Sequence, residues 1–237
     1  MNPYRSLLLL MTFSTLLWLV GCGSDDGKKV VSDPTPASFG VTVTNISASQ
    51  PLSPVAVVLH GAEYSAWELG ASASNALEVL AESGASTDLI QAADADPDVL
   101  ATAAGSGVVM PGASDSVNLT VTTADPIFLT MATMLVNTND AFGGLNARSL
   151  DDLEVGQSAT FMVPAYDAGT EANSESAATV PGPAAGGEGY NAARDDTDVV
   201  HVHPGVISNQ DGLAGSALNG NHRWDNPVLK LVVTRTS

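Results

Sequence analysis

The sequence predicts an all-β protein, an antiparallel β-sandwich with one or two short helices in a single connection. Three observations carry this. Short stretches in which apolar and polar residues alternate recur along the chain. Thr, Ser, Ala, Val and Gly dominate it. Only 14% of the residues are charged and 5% aromatic, a composition that suits a loop-rich β protein better than a helical bundle.

The elements follow in order. Phe39, Val41 and Val43 alternate with Gly40, Thr42 and Thr44, the period of a half-buried strand over 39–46. Val55 to Leu59 is a short apolar run and reads as a buried strand. Ser72 to Glu82 reads as a helix. Ser72 or Ser74 can cap it, Leu77, Leu80 and Ala81 share a face, and Gly84 can end it. Ser86 to Ala93 is a second short helix. Strands are expected over 117–121, 127–136, 158–163 and 228–233. Residues 172–198, rich in Ala, Gly, Ser and Asp with Pro181 and Pro183, read as one long loop, a kind of segment that often carries function. No repeat of about 20–50 residues appears, which argues against a solenoid.

The N-terminus reads as an export signal. Arg5 precedes a largely apolar run from Leu7 to Val20, short for a membrane span, which needs about 20 apolar residues. The run ends in Leu19-Val20-Gly21-Cys22, which resembles the lipobox of bacterial lipoproteins. Cys22 is the only cysteine in the chain and stands where lipidation requires it. Acyl chains on Cys22 imply a membrane anchor. The alternative is an ordinary cleaved signal with an accidental cysteine. Residues 1–22 are thus expected to be signal and lipobox, 23–37 a flexible tether, and 38–237 the folded domain. The resemblance implies a bacterial cell envelope. Gly23 after the cysteine, by the sorting habit of enteric bacteria, implies the outer membrane.

With one cysteine no intramolecular disulfide can form, so stability is expected to come from core burial, with or without a metal. The net charge of −18, from 26 acids against 8 bases, argues against nucleic acid as a partner and suits divalent cations or plain solubility. No Gly-x-Ser-x-Gly elbow, P-loop or His-Glu-x-x-His is present, and a non-enzymatic protein is expected.

Four segments carry a family resemblance. They are His60-Gly61 with Trp67 to Ser72 and Leu80-Ala81-Glu82-Ser83-Gly84; Met134 to Gly144, similar to Met-x-Val-Pro-Ser-Pro-Asp-Trp-Phe-x-Gly; Tyr166 to Glu171, close to Tyr/Trp-Asp-Ala-Gly-Thr-Asp; and Asn226 to Leu229. In order and spacing they resemble the spondin N-terminal domain of F-spondin, mindin and many bacterial secreted proteins. The resemblance implies a C2-like antiparallel sandwich with calcium bound in loops at one edge. The implied ligands are Asp140, Asp167 and Glu171, with the backbone carbonyl of Ala168. The chemistry suits the ion, which takes six to eight oxygens. Asp167 and Glu171 share a turn that Gly169 lets fold. Glu171 stands where the family has Asp. Asn137 and Asn139 replace prolines, which predicts a less rigid loop. The competing reading is that these acids cap turns and accept backbone N–H groups.

His201-Val202-His203 offers another metal site. In a strand, i and i+2 point the same way, so both imidazoles can meet one transition metal, with Asp195, Asp196, Asp198 or His222 the nearest further ligands. The leading expectation is an envelope-anchored, calcium-binding adhesion or matrix-interaction protein with an unknown protein or matrix partner. The alternatives are a zinc-dependent envelope hydrolase using His201 and His203, and a structural subunit of an envelope complex.

Overall fold

A computed structural model describes residues 33–237. The signal, Cys22 and most of the expected tether lie outside the described residues. Two antiparallel sheets face each other, as the alternation predicts. The first strand, β1 (Thr35–Asn45), is inner in a four-stranded sheet, between β4 (Ser114–Thr123) and β10 (Leu229–Arg235), with β7 (Ser158–Val163) beyond β10. The six-stranded sheet runs β3 (Val99–Ala104), β2 (Ala56–His60), β5 (Phe128–Met134), β6 (Ala141–Ser149), β8 (Ala165–Asp167) and β9 (His201–Val202).

The four-stranded sheet is buried on one face only. Ala37, Phe39, Val41 and Val43 point inward, as do Val117, Leu119 and Val121 on β4 and Leu229, Leu231 and Val233 on β10. The opposite face is laced by hydroxyl pairs across strands: Ser38 with Thr120, Thr42 with Ser116 and Thr44 with Ser114, each at 2.9 Å. Such pairs stabilise a sheet modestly and need no charge, so a solvent face can be built with few charged residues. Strand β1 begins at Thr35, inside the stretch expected to be tether; Ala37 is buried and paired with Val121 on β4. Residues 35–37, expected to be tether, are therefore strand.

The six-stranded sheet is covered on both faces. Its inner side meets the sandwich core through Val57, Leu59, Leu129 and Met131. Its outer side carries two helices, α1 (Asn75–Ser83) and α2 (Thr87–Asp94), whose Leu77, Leu80, Ala81 and Leu89 pack with Ala56, Ala132 and Phe142. Double coverage explains why β2 is a continuous apolar run with every residue buried. The helix ends match the sequence reading. The Ser74 side chain accepts the Leu77 N–H at 3.2 Å, and Gly84, at φ 73°, gives its N–H to the Leu80 carbonyl at 2.9 Å.

Sequence reading missed β6. Its Phe142-Gly143-Gly144 start looks like loop. In the fold, a Cβ on Gly144 would lie 2.6 Å from the ring tip of Trp67. Trp67 is 5.1 Å from Phe142, edge to face, and 5.9 Å from Tyr166. The glycine makes room for an aromatic ring on a strand.

Candidate functional site

The site lies where β6 begins and β8 ends. These strands pair with Ala141 opposite Asp167, which brings Asp140 beside the exit of β8. The chain then turns sharply. Gly169 has φ 69°, and a Cβ there would meet the Val199 carbonyl oxygen at 2.5 Å, so only glycine fits. The turn aims successive amides at Asp140. Its Oδ2 accepts Thr170 N–H at 2.8 Å, Glu171 N–H at 3.1 Å and the Thr170 hydroxyl at 3.2 Å. Asp167 Oδ1 accepts the Gly169 N–H at 2.8 Å, and its Oδ2 accepts Asn173 Nδ2–H at 2.7 Å. The turn-capping expected of these acids is therefore present.

Capping engages both oxygens of Asp167 but leaves part of Asp140 and Glu171 over. Asp140 Oδ1 and Glu171 Oε2 are buried with no hydrogen-bond partner. Burial, with the Asp167 charge added, pushes the Asp140 carboxyl up to about 8. Burial pushes Glu171 up to about 7, helped by Glu82, Asp195 and Glu188. Among the described residues no Lys or Arg forms an ion pair with Asp140, Asp167 or Glu171.

Asp140 and Asp167 come together with Ala168, whose N–H reaches the Asp140 carbonyl at 3.3 Å. Glu171 joins them through its backbone N–H, which donates to Asp140 Oδ2, and its carboxylate feels the charge of Glu82 on α1. Among the described residues, no three His, Cys, Asp or Glu side chains stand close enough to hold an ion as placed. The donor set still fits calcium in kind, being all oxygen, buried and partly unpartnered.

Both histidines face Asp167, as the i, i+2 spacing predicts. Their Nε2 atoms stand 3.8 Å (His201) and 3.7 Å (His203) from Asp167 Oδ2. His203 is buried. Its Nδ1 accepts the Gly205 N–H at 2.9 Å, which leaves the proton on Nε2, 3.2 Å from Asn173 Oδ1. Burial holds it neutral, down to about 4. The further ligands suggested by sequence are mostly engaged elsewhere: Asp195 caps the Ala172 N–H, Asp198 pairs with Arg194, and His222 caps the Asn219 N–H.

Two groups, Arg194 and Glu175, had no sequence signal, and a third, Glu82, entered only as part of a recognised segment. Arg194 in the long loop reaches Glu78 of α1 at 2.7 Å and the Ala73 carbonyl at 2.8 Å. Glu82, in the same helix, accepts the Asn191 N–H at 2.8 Å. Glu175 is buried beside the acids. The two asparagines in place of prolines also bind the loop. Asn137 Oδ1 accepts the Ala184 N–H at 3.0 Å, and Asn139 Oδ1 accepts the Glu175 N–H at 3.1 Å. The expected loss of rigidity is offset by these bonds.

The molecule is thus an antiparallel β-sandwich with an acidic, glycine-turned loop cluster at one end of its larger sheet. A model of the spondin N-terminal domain (Spondin_N) matches residues 45–183, more than half the chain, and the chain belongs to that family. The first three of the four recognised segments lie inside the match, and the closing Asn226–Leu229 segment lies beyond it. Among curated proteins, none matches the chain.

Proposed function

We propose that this is a non-enzymatic, calcium-binding spondin-domain protein. Cys22 anchors it by lipid to a bacterial envelope, on the outer membrane, where it serves adhesion or matrix interaction with a protein or matrix partner. The observation that carries the calcium reading is the set Asp140, Asp167 and Glu171. All three are buried, two of them keep an unpartnered oxygen, and none has a Lys or Arg partner among the described residues. Buried like charges of this kind favour a cation between them. Calcium would be held by those carboxylates and the Ala168 carbonyl, and would supply the missing positive charge.

Calorimetry and thermal melting of the full chain in detergent, with calcium and with chelator, test this. Heat of binding and a raised melting temperature are expected. No shift at millimolar calcium sinks the reading. The lipid anchor is tested by Cys22→Ser, which is expected to abolish acylation and release the protein from membranes; an unmodified, uncleaved N-terminus in the native protein refutes it.

The convergence of His201 and His203 on Asp167 supports a second reading, a zinc-dependent hydrolase. A catalytic zinc needs an open position for water, whereas His203 is buried with both ring nitrogens engaged. Metal analysis separates the two: stoichiometric zinc lost on His201→Ala favours the hydrolase, and calcium alone eliminates it.

A further inference from the structure

An open strand edge carries a row of unpaired backbone groups, and the partner that matches such a row is another extended chain. The edge strands of this sandwich are β4 and β7 in one sheet and β3 and β9 in the other. Three of them are defended. Strand β9 has two residues and runs into Pro204. Strand β3 borders a shift in register at Leu59–His60, and α2 lies against it. Strand β4 carries Asp115, whose carboxylate binds the Ser106 N–H at 2.7 Å and the Ser106 hydroxyl at 2.9 Å. Strand β7 has no such device. Its six residues, Ser158-Ala159-Thr160-Phe161-Met162-Val163, include no charge and no proline, and its register against β10 runs without a shift.

One bond fixes which groups are free. The Arg235 N–H donates to the Gln157 carbonyl at 3.0 Å. Bonding in an antiparallel pair alternates, so Ala159, Phe161 and Val163 turn their backbone groups toward β10, and Ser158, Thr160 and Met162 turn theirs away. No N–H or C=O of these last three has a partner among the described residues. Their side chains are exposed as well, Met162 at 56%. Phe161 points the other way, to the core, with the Arg148 guanidinium 5.2 Å from its ring centre.

We propose that β7 pairs antiparallel with β7 of a second copy, joining two four-stranded sheets edge to edge. The spacing is self-complementary. With Thr160 opposite its own counterpart, Ser158 meets Met162 on either side, and every residue with free backbone groups faces another. Charge favours the same partner. A chain of net charge −18 repels its copies, but no like charges meet across β7. The two-fold axis of such a pair closes the dimer and leaves no growing fibre. The ladder is short, so the dimer is weak and concentration-dependent. None of this depends on the calcium reading.

Sedimentation equilibrium of the full chain in detergent tests it, on the native protein, Thr160→Lys and Thr120→Lys. Both threonines are exposed on edge strands, Thr160 on β7 and Thr120 on β4. The native chain is expected to dimerise. Thr160→Lys sets two like charges directly opposite each other and is expected to weaken the dimer about fivefold or more. Thr120→Lys is expected to stay within about twofold, as a surface change away from the interface. Cross-linking reads the register. Residues paired in this way stand about 5.5 Å apart at Cα, within reach of a disulfide. Thr160→Cys is therefore expected to link two copies on oxidation and Ser158→Cys is not, with the native chain, which has only Cys22, as background. A native chain that stays monomeric at every concentration overturns the proposal. So does native-like dimerisation of Thr160→Lys, or linkage of Ser158→Cys as readily as Thr160→Cys.

Discussion

Asp140 holds the backbone of Thr170 from a separate loop, Oδ2 accepting the Thr170 N–H at 2.8 Å while Oδ1 remains buried and free. One oxygen closes the fold and the other takes no part in it. Asp140→Ala removes both roles. It strands two buried amides and is expected to cost about 2–6 kcal/mol, at about 1–3 kcal/mol for each unsatisfied group. Asp140→Asn keeps an acceptor and sheds the charge. It is expected to equal or exceed the native protein's stability in chelator and to lose the stabilisation that calcium gives. Urea unfolding with and without calcium measures both variants.

The buried acids also set a pH dependence. Unfolded, Asp140, Glu171 and Glu175 lose their protons near pH 4; folded, they hold them up to about 8, 7 and 7. Across that window the folded state binds more protons, so stability falls as pH rises. His60 and His203, both lowered by burial, oppose this below about pH 6.5, where the unfolded imidazoles charge and the folded ones do not. Above that, only the acids act. The melting temperature in chelator is expected to fall between about pH 6.5 and 8.5, and saturating calcium to flatten the slope. A flat profile in chelator contradicts the burial of these charges.

Arg194 clamps the long loop to α1. Its partner Glu78 is 3% exposed at the side chain, against 22% for Arg194. Arg194→Ala leaves that carboxylate without its cation. The expected loss is about 2 kcal/mol, below the 3–5 kcal/mol of a fully buried pair because the arginine is partly solvated. Cleavage within residues 172–198 by limited proteolysis is expected to speed up. Restoring stability with the Glu78→Gln, Arg194→Ala pair would identify the stranded charge as the cause.

Gly144 answers a different question, why a glycine pair starts a strand. Gly144→Ala drives a methyl into Trp67, which Phe142 and Tyr166 hold in place. A loss of about 1–3 kcal/mol is expected from overpacking, with changed tryptophan fluorescence. An unaffected variant would mean that the aromatic cluster yields easily.

Much of the sandwich is legible in the residues. Strands that alternate, such as β1 and β4, show themselves because one face is wet. Strand β2 shows itself as an unbroken apolar run because both faces are dry. Strand β6 is hidden, since its glycines are chosen by Trp67 from far along the chain. Asp140, Asp167 and Glu171 are legible because glycine turns and a family pattern frame them. Glu175 and Arg194 are hidden in low-complexity surroundings, where nothing local distinguishes them from solvated charges.

By itself the sequence determined the class of fold, the family, an α1 cap at Ser72 or Ser74 and the turn at Gly169, since each depends on residues near one another in the chain. Only the tertiary structure decided how the acids divide. It set Asp140 against the amides of Thr170 and Glu171, left an oxygen of Asp140 and of Glu171 buried without a partner, and tied the Glu175 backbone to Asn139. Which oxygens are capped and which stay free depends on pairing between β6 and β8 and on how the long loop is tied down, and those contacts join residues distant in the chain.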